Sequence, residues 1–324
     1  MSDFETVAAT EVPSARPGPS GEPNAPGIAV PETDQEAVGR PRSLAGDAWR
    51  DLRRNPIFWI ALALATLFVV MWLAPSLFTG ADPNNCDLSR SLKAPSASAP
   101  FGYDFQGCNV YARTVYGASD SIQVGLYATL IAGFLAFLFG MLAGYFGGWV
   151  DAVLSRTIDI VLGIPLLLAA IVVLGRLSNG GKDPGVVGVA LILGLLGWTT
   201  AARVVRSSVI SAKHQDYVQA ARMLGAGDTR VMLRHILPNA MAPAIVVLTI
   251  ALGAFIAAEA TLSYLGIGLK PPAISWGSDI SAAQPRLRQA WWPLIWPSTF
   301  LALTVLAFIM LGDAVRAAFD PKAR

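Results

Sequence analysis

Six stretches of the chain hold almost only apolar residues, and polar segments of unequal length separate them. Ile57 to Ala74 is uncharged, and Ser121 to Val150 is a longer uncharged run bounded by Asp120 and Asp151. Thr157 to Gly175 is interrupted by Asp159 and Pro165, whereas Gly185 to Ala202 carries no charge. Ala240 to Gly268 holds the single charge Glu259, and Pro293 to Gly312 holds none. A bilayer crossing by a helix needs roughly 20 mostly apolar residues. The pattern therefore predicts an all-α integral membrane protein with six transmembrane helices.

The segments between the runs set the organisation. Residues 1–48 read as a disordered cytoplasmic tail: Pro13, Pro17, Pro19, Pro23, Pro26 and Pro31 stand among scattered acids, and such a composition buries too little apolar area to offset its ordering entropy. Residues 49–75 are a first transmembrane helix with a basic lead-in, 76–120 an extracytoplasmic loop, and 121–313 a five-helix core. That core includes a polar cytoplasmic connection at 203–239, and 314–324 form a cytoplasmic C-terminus. Basic residues favour the cytoplasmic side of a membrane protein. The clusters Arg50, Arg53, Arg54 and Arg203, Arg206, Lys213, with Arg222, Arg230 and Arg234, all fall on the side of the tail. Both termini are then cytoplasmic.

Composition agrees with lipid as the solvent. The 324 residues are 54% hydrophobic and 14% charged, with a mean hydropathy of +0.51. A net charge of +2 is too small to indicate a nucleic-acid partner, and a modest basic excess is accounted for by membrane orientation. Cys86 and Cys108 both lie in the extracytoplasmic loop. An oxidising compartment permits a disulfide there, and the alternative is two thiols that share a loop. His214 and His235 are the only histidines and have no partners at metal-ligand spacing; no metal site is expected. No glycine-rich phosphate-cradling stretch ending in Lys-Ser or Lys-Thr occurs.

The connection at 203–239 reads as two short helices. Gln215 to Leu224 shows an apolar face at Val218, Ala221 and Leu224 and is broken at Gly225 and Gly227. Asp228 can cap a second helix that ends at Pro238. Within it stands Tyr217-Val218-Gln219-Ala220-Ala221-Arg222-Met223-Leu224-Gly225, followed by Arg234-His235-Ile236-Leu237-Pro238-Asn239. This resembles the Glu-Ala-Ala, Gly, Leu-Pro loop of ABC import permeases. Further segments narrow the resemblance to the C-type permeases of dipeptide and oligopeptide import: Phe101-Gly102-Tyr103-Asp104 with Gly107; Tyr116-Gly117-Ala118; Asp151 to Leu168; Leu262 to Gly268 with Ser275-Trp276-Gly277; and Leu311-Gly312-Asp313-Ala314-Val315-Arg316 with Asp320-Pro321. Gln219 departs from the pattern where it has Glu, and His235 where it has Ile.

The resemblance implies the type I ABC importer permease fold and a non-catalytic subunit in the membrane of a bacterial cell. Its partners would be a second homologous permease subunit, two ABC ATPase subunits or one fused ATPase, an extracytoplasmic substrate-binding protein, peptide substrate and membrane lipid. ATP and Mg would be bound by the ATPases, with no cofactor in this chain. It also implies a role for Asp216, Tyr217, Gln219, Ala220, Ala221, Gly225, Leu237 and Pro238 in coupling to the ATPase. An importer of nickel or another small solute shares most of these motifs. An ion-coupled secondary transporter is the rival from another class, although neither an internal repeat nor a mid-span charge cluster is visible. Asp159 and Glu259 are candidates for the translocation path, because an acid inside a span is costly against lipid; helix-end pairing with a neighbour is the plainer reading. Gly140 and Gly144 form a small-xxx-small pair suited to close helix packing, and Trp291 and Trp292 are expected at the outer interface with their N–H groups wet.

Overall fold

A computed structural model describes residues 44–179 and 184–319. Most of the expected proline-rich tail and the Asp320-Pro321 end of the C-terminus lie outside the described residues. Among the described residues the fold is helical, with two isolated β-bridges and no strand. The first helix, α1 (Leu44–Arg54), already includes the last residues assigned to the tail. Asn55 separates it from α2 (Pro56–Leu73): its side chain accepts from the Ile57 N–H at 2.9 Å, and Pro56 takes the first helical position, where its missing N–H costs nothing.

Four helices are long and apolar enough to cross a membrane, and the total rises to six if two bent pairs each count as one span. The single spans are α2, α3 (Val110–Phe146), α9 (Leu237–Tyr264) and α11 (Trp292–Phe319). The third expected span is broken: α4 (Gly148–Leu162) meets α5 (Leu166–Asn179) at 78°. Gly163 and Pro165 lie in the break, and a proline there removes a ladder donor and clashes with the preceding turn. The fourth bends by 48° between α6 (Gly185–Gly197) and α7 (Thr199–Lys213). At that bend Gly197 leaves the space taken by the Phe255 ring, since a Cβ would stand 2.4 Å from its Cε1.

Element limits differ from the sequence expectation in three places. Helix α3 begins at Val110, inside the segment expected as loop, and at about 1.5 Å per residue it outruns a bilayer core of about 30 Å. Helix α7 continues to Lys213, so the first third of the expected 203–239 connection is a helical extension of span four. Pro238 does not end a helix. The turn from Asp228 passes through a wide π-helical stretch, Val231–Ile236, and runs on into α9. That wider turn makes room for the ring of Pro238, which has no N–H to give to the helical ladder.

Close approach of α3 to α6 and α7 forms the centre of the bundle. A Cβ on Gly140 would lie 2.6 Å from the Ala202 carbonyl oxygen, and one on Gly144 would lie 2.8 Å from the Val209 Cβ. The small-xxx-small pair therefore packs α3 against α7, one helix of the same chain. Outside the spans, the loop before α3 is fastened at several points. Cys86 and Cys108 are joined by a disulfide, and the Asp104 carboxylate accepts from the N–H groups of Gln106 and Cys108 at 2.8 Å each. Phe101 stacks on Trp296 with centroids 4.0 Å apart. Trp291 is exposed as expected, but the Trp292 N–H is not wet: it donates to the Tyr103 carbonyl at 3.2 Å.

Candidate functional site

The connection between spans four and five reduces to one short helix, α8 (Asp216–Met223), which carries Asp216, Tyr217, Gln219, Ala220 and Ala221. Its hydrophobic anchor is narrow. Val218 is fully buried against a cluster that includes Val209, Val231 and Ile236, while Ala221 is half-buried. Leu224, expected on the same inner face, is instead 89% exposed beside Met223 at 83%. The helix has already ended there, so the 3.6-residue repeat no longer sets side-chain direction. Asp216, Tyr217, Gln219 and Ala220 face outward.

The exit from α8 depends on Gly225. Its N–H donates to the Arg222 carbonyl at 2.9 Å and that of Ala226 to the Ala221 carbonyl at 3.0 Å. This is the Schellman arrangement, and Gly225 holds the left-handed φ of +82° that it requires. Asp228, expected as a cap, is the first helical residue of the next turn, and its carboxylate accepts from the Tyr145 hydroxyl at 2.5 Å. Asn239 donates to both the Tyr217 hydroxyl at 2.8 Å and the His235 carbonyl at 3.0 Å. Those bonds tie α8 to the π-helical turn that carries Leu237 and Pro238 into α9. Gln219, which stands at the acidic position of the resembling loop, donates back to the His214 carbonyl at 3.4 Å. The result is a small outward platform, rigidly joined to the ends of spans four and five.

The two acids named for a path are in different surroundings. Asp159 is half-exposed and pairs with Arg203 at 2.6 Å, one rung of a ladder whose second rung is Asp151 with Arg206 at 2.5 Å. The ladder binds α4 to α7. Glu259 has no exposure. Its Oε1 accepts from the hydroxyls of Ser263 and Ser275, each at 2.7 Å, and its Oε2 has no hydrogen-bond partner. Glu259 thus lines no open surface in this conformation; it fastens the loop that leaves span five. Glu259→Ala is expected to lower the thermal unfolding free energy of the detergent-solubilised chain by roughly 1–3 kcal/mol, because two buried hydroxyls lose their acceptor. Glu259→Gln keeps that acceptor and should unfold close to the parent. Equal loss in both variants would show that the charge, and not the hydrogen-bond acceptor, is what matters.

Sequence reasoning missed an outer constellation. The helix α10 (Trp276–Ala283) re-enters the bundle after span five, starting from Ser275, whose hydroxyl accepts from the Gly277 N–H at 3.0 Å. Trp276 is fully buried and donates to the Thr114 carbonyl at 2.8 Å. Arg113 grips Asp279 with Nε and Nη2, at 3.1 and 2.5 Å, and lies 3.9 Å from Asp104. Burial pushes the Asp279 and Asp104 carboxyls above the ordinary carboxylate range, with Arg113 opposing in both cases. These groups line an outer cavity of about 170 Å³. The available signal was an arginine in the first turn of a span with no acid within helical reach in its own sequence.

Comparison with known proteins accords with the motif pattern. The family model described as "binding-protein-dependent transport system inner membrane component" matches residues 136–324, and that of the "N-terminal TM domain of oligopeptide transport permease C" matches 43–95. The dipeptide transport system permease protein DppC of Alkalihalophilus pseudofirmus is 34% identical over 96% of this chain and 98% of its own length. The protein of the same name in Bacillus subtilis is 36% identical over 90% of each chain. The oligopeptide transport system permease protein OppC of Bacillus subtilis is 34% identical over 87% of this chain and 91% of its own. A chain of a solved amino acid ABC transporter covers 62% of this chain and 91% of its own at 18% identity, with a TM-score of 0.47.

Proposed function

Because the chain belongs to the family of binding-protein-dependent transport system inner membrane components, we propose that it is one membrane half of an ABC importer that carries dipeptides or oligopeptides into a bacterial cell. The observation that carries this reading is the α8 platform: a short helix whose one fully buried side chain is Val218, tied to the start of α9 through Tyr217 and Asn239, with Asp216, Gln219 and Ala220 facing outward and its exit set by Gly225. It has the size and shape of an element that docks into another subunit. The chain contains no phosphate-cradling motif, so hydrolysis falls to ATPase partners that bind ATP and Mg.

In this reading a second, homologous permease completes the substrate path in the cell membrane, and an extracytoplasmic binding protein delivers the peptide. Both termini are cytoplasmic. Closure of the ATPases moves α8, including Gln219, Ala220 and Ala221. Because Tyr217 and Asn239 join α8 to the start of α9, the motion passes into span five, and α7 carries it directly into span four. Alternating exposure of the path follows from rotating these spans as a unit. The chain itself makes and breaks no covalent bond.

The test is reconstitution of the chain with its sister permease, ATPases and binding protein in vesicles, together with mass spectrometry of the ligand retained by that binding protein. ATP-dependent accumulation of the retained peptide is the expected result. Retention of nickel or another small solute would replace the substrate, and uptake driven by an ion gradient without ATP would overturn the mechanism.

A further inference from the structure

The end of α3 nearest α8 carries a charged cavity that meets the coupling platform at Gln219 and Arg222. Tyr145, Lys213, His214, Gln219 and Arg222 enclose about 360 Å³ between α3, α7 and α8. Its two permanent cations are held by neutral groups. Lys213 Nζ donates to the Gly144 carbonyl at 2.8 Å, and the Arg222 guanidinium lies 5.3 Å from the centre of the Tyr145 ring. Among the described residues neither makes an ion pair with a carboxylate. The nearby acids are engaged elsewhere, Asp151 with Arg206 and Asp228 with the Tyr145 hydroxyl. Two cations without a carboxylate within 4 Å, Lys213 feeling Asp151 only at longer range, border a concave polar space that suits an anion.

The depth of the cavity and its neighbour specify the anion's class. Phe146 and Trp149 flank the α3–α4 turn and are both exposed, as aromatic side chains at the headgroup level of a bilayer are. On the membrane side lies a second cavity of about 370 Å³, walled by Phe134, Leu138 and Met141 of α3 and by Leu233, Leu237 and Met241. Phe134, Leu138, Met141 and Tyr145 follow one another at helical spacing along one face of α3. The apolar groove thus runs along the same stripe that ends at the cationic cavity.

The geometry points to a bound anionic phospholipid of the cytoplasmic leaflet, with its phosphate between Lys213 and Arg222 and an acyl chain in the groove between α3 and the start of α9. Cationic pockets at the cytoplasmic ends of spans suit such headgroups, each cation near the surface contributing roughly fivefold in affinity. Since Arg222 belongs to α8 and Lys213 to α7, the lipid would brace the platform against the bundle. The side of the membrane rests on the proposed orientation; the binding chemistry does not.

The experiment is native mass spectrometry of the full-length chain purified into micelles containing phosphatidylglycerol and phosphatidylcholine in equal amounts. The parent is expected to retain one phosphatidylglycerol in preference to phosphatidylcholine. Lys213→Gln with Arg222→Gln should lower that preference about thirtyfold, the product of two such contributions. Lys213→Arg with Arg222→Lys should preserve it, which separates charge from folding. Leu138→Trp, which fills the groove, should weaken retention of both lipids. Unchanged retention in the doubly neutralised chain overturns the site. Displacement by millimolar inorganic phosphate would make it a free-anion site. Loss of ATPase co-purification with lipid retention intact would make it a protein contact. Either result would also overturn the proposal. The measurement needs no transport, so its failure leaves the import reading standing, and failure of import leaves the lipid result legible.

Discussion

Gly277→Ala is expected to destabilise the chain by about 3 kcal/mol, the upper end of what overpacking typically costs. A Cβ at this position would stand 2.1 Å from the Ala260 carbonyl oxygen and 2.7 Å from both the carbonyl carbon and Cα of Ala260. All three are backbone atoms of α9, which cannot swing aside as a side chain would. Helix α10 would have to retreat, and the contacts that hold it would lengthen together: Ser275 to Glu259, Trp276 to the Thr114 carbonyl, and Arg113 to Asp279. Trp276 would lose part of its complete burial. Thermal unfolding in detergent, with expression level beside it, checks this. Gly175→Ala serves as the control: nothing lies within 4 Å of its added Cβ, and alanine is the better helix former by about 1 kcal/mol. If the two variants melted together, the close approach of α10 to α9 would not be a constraint on the fold.

The second large effect falls on coupling instead of folding. In Gly225→Pro the φ of +82° is replaced by one near −65°, and the N–H that bonds to Arg222 is removed. The Schellman exit cannot form, and α8 loses the geometry that presents Gln219, Ala220 and Ala221. Nothing lies within 4 Å of a Cβ at Gly225, so the bundle itself should melt within about 1 kcal/mol of the parent, the range of a surface change. A penalty of about 2–3 kcal/mol on the docked arrangement, the scale of strain at a forced backbone conformation, corresponds to a roughly 30- to 160-fold fall in uptake and in binding-protein-stimulated ATP hydrolysis. Gly225→Ala, which pays only for a left-handed alanine, about 1–2 kcal/mol, should fall between. Unaltered stimulation in the proline variant would remove α8 from the transmission path.

These two glycines show unequally in the sequence. Gly225 stands at the end of a helical pattern and two positions before a second breaker, Gly227, and the physical rule for a left-handed exit needs no tertiary partner. Gly277 gives no such signal, because its constraint is a carbonyl seventeen positions earlier in the chain that only the packing of α10 on α9 brings close. The same division separates Pro165 from Pro238. Pro165 breaks its span as a proline inside a helix should. Pro238 does not, because the π-helical turn before it widens to take the ring, and that turn is held by Tyr217, Asn239 and the burial of Val231 and Ile236.

What the sequence by itself determined were the six apolar runs, the outward amphipathic helix between the fourth and fifth, and the family. These rest on local chemistry: apolar length against bilayer thickness, side-chain period against helical pitch, and residue type at a turn. The tertiary structure alone decided that Glu259 is a fastener and not a surface acid, that Arg113 closes on Asp279, that Leu224 points outward, and that span four is bent. Each of these depends on which distant atoms come within a few ångströms, and hydrophobic periodicity carries no information about that. The hydrophobic pattern places a charge inside a span, but only packing decides whether its partner is water, lipid or another side chain.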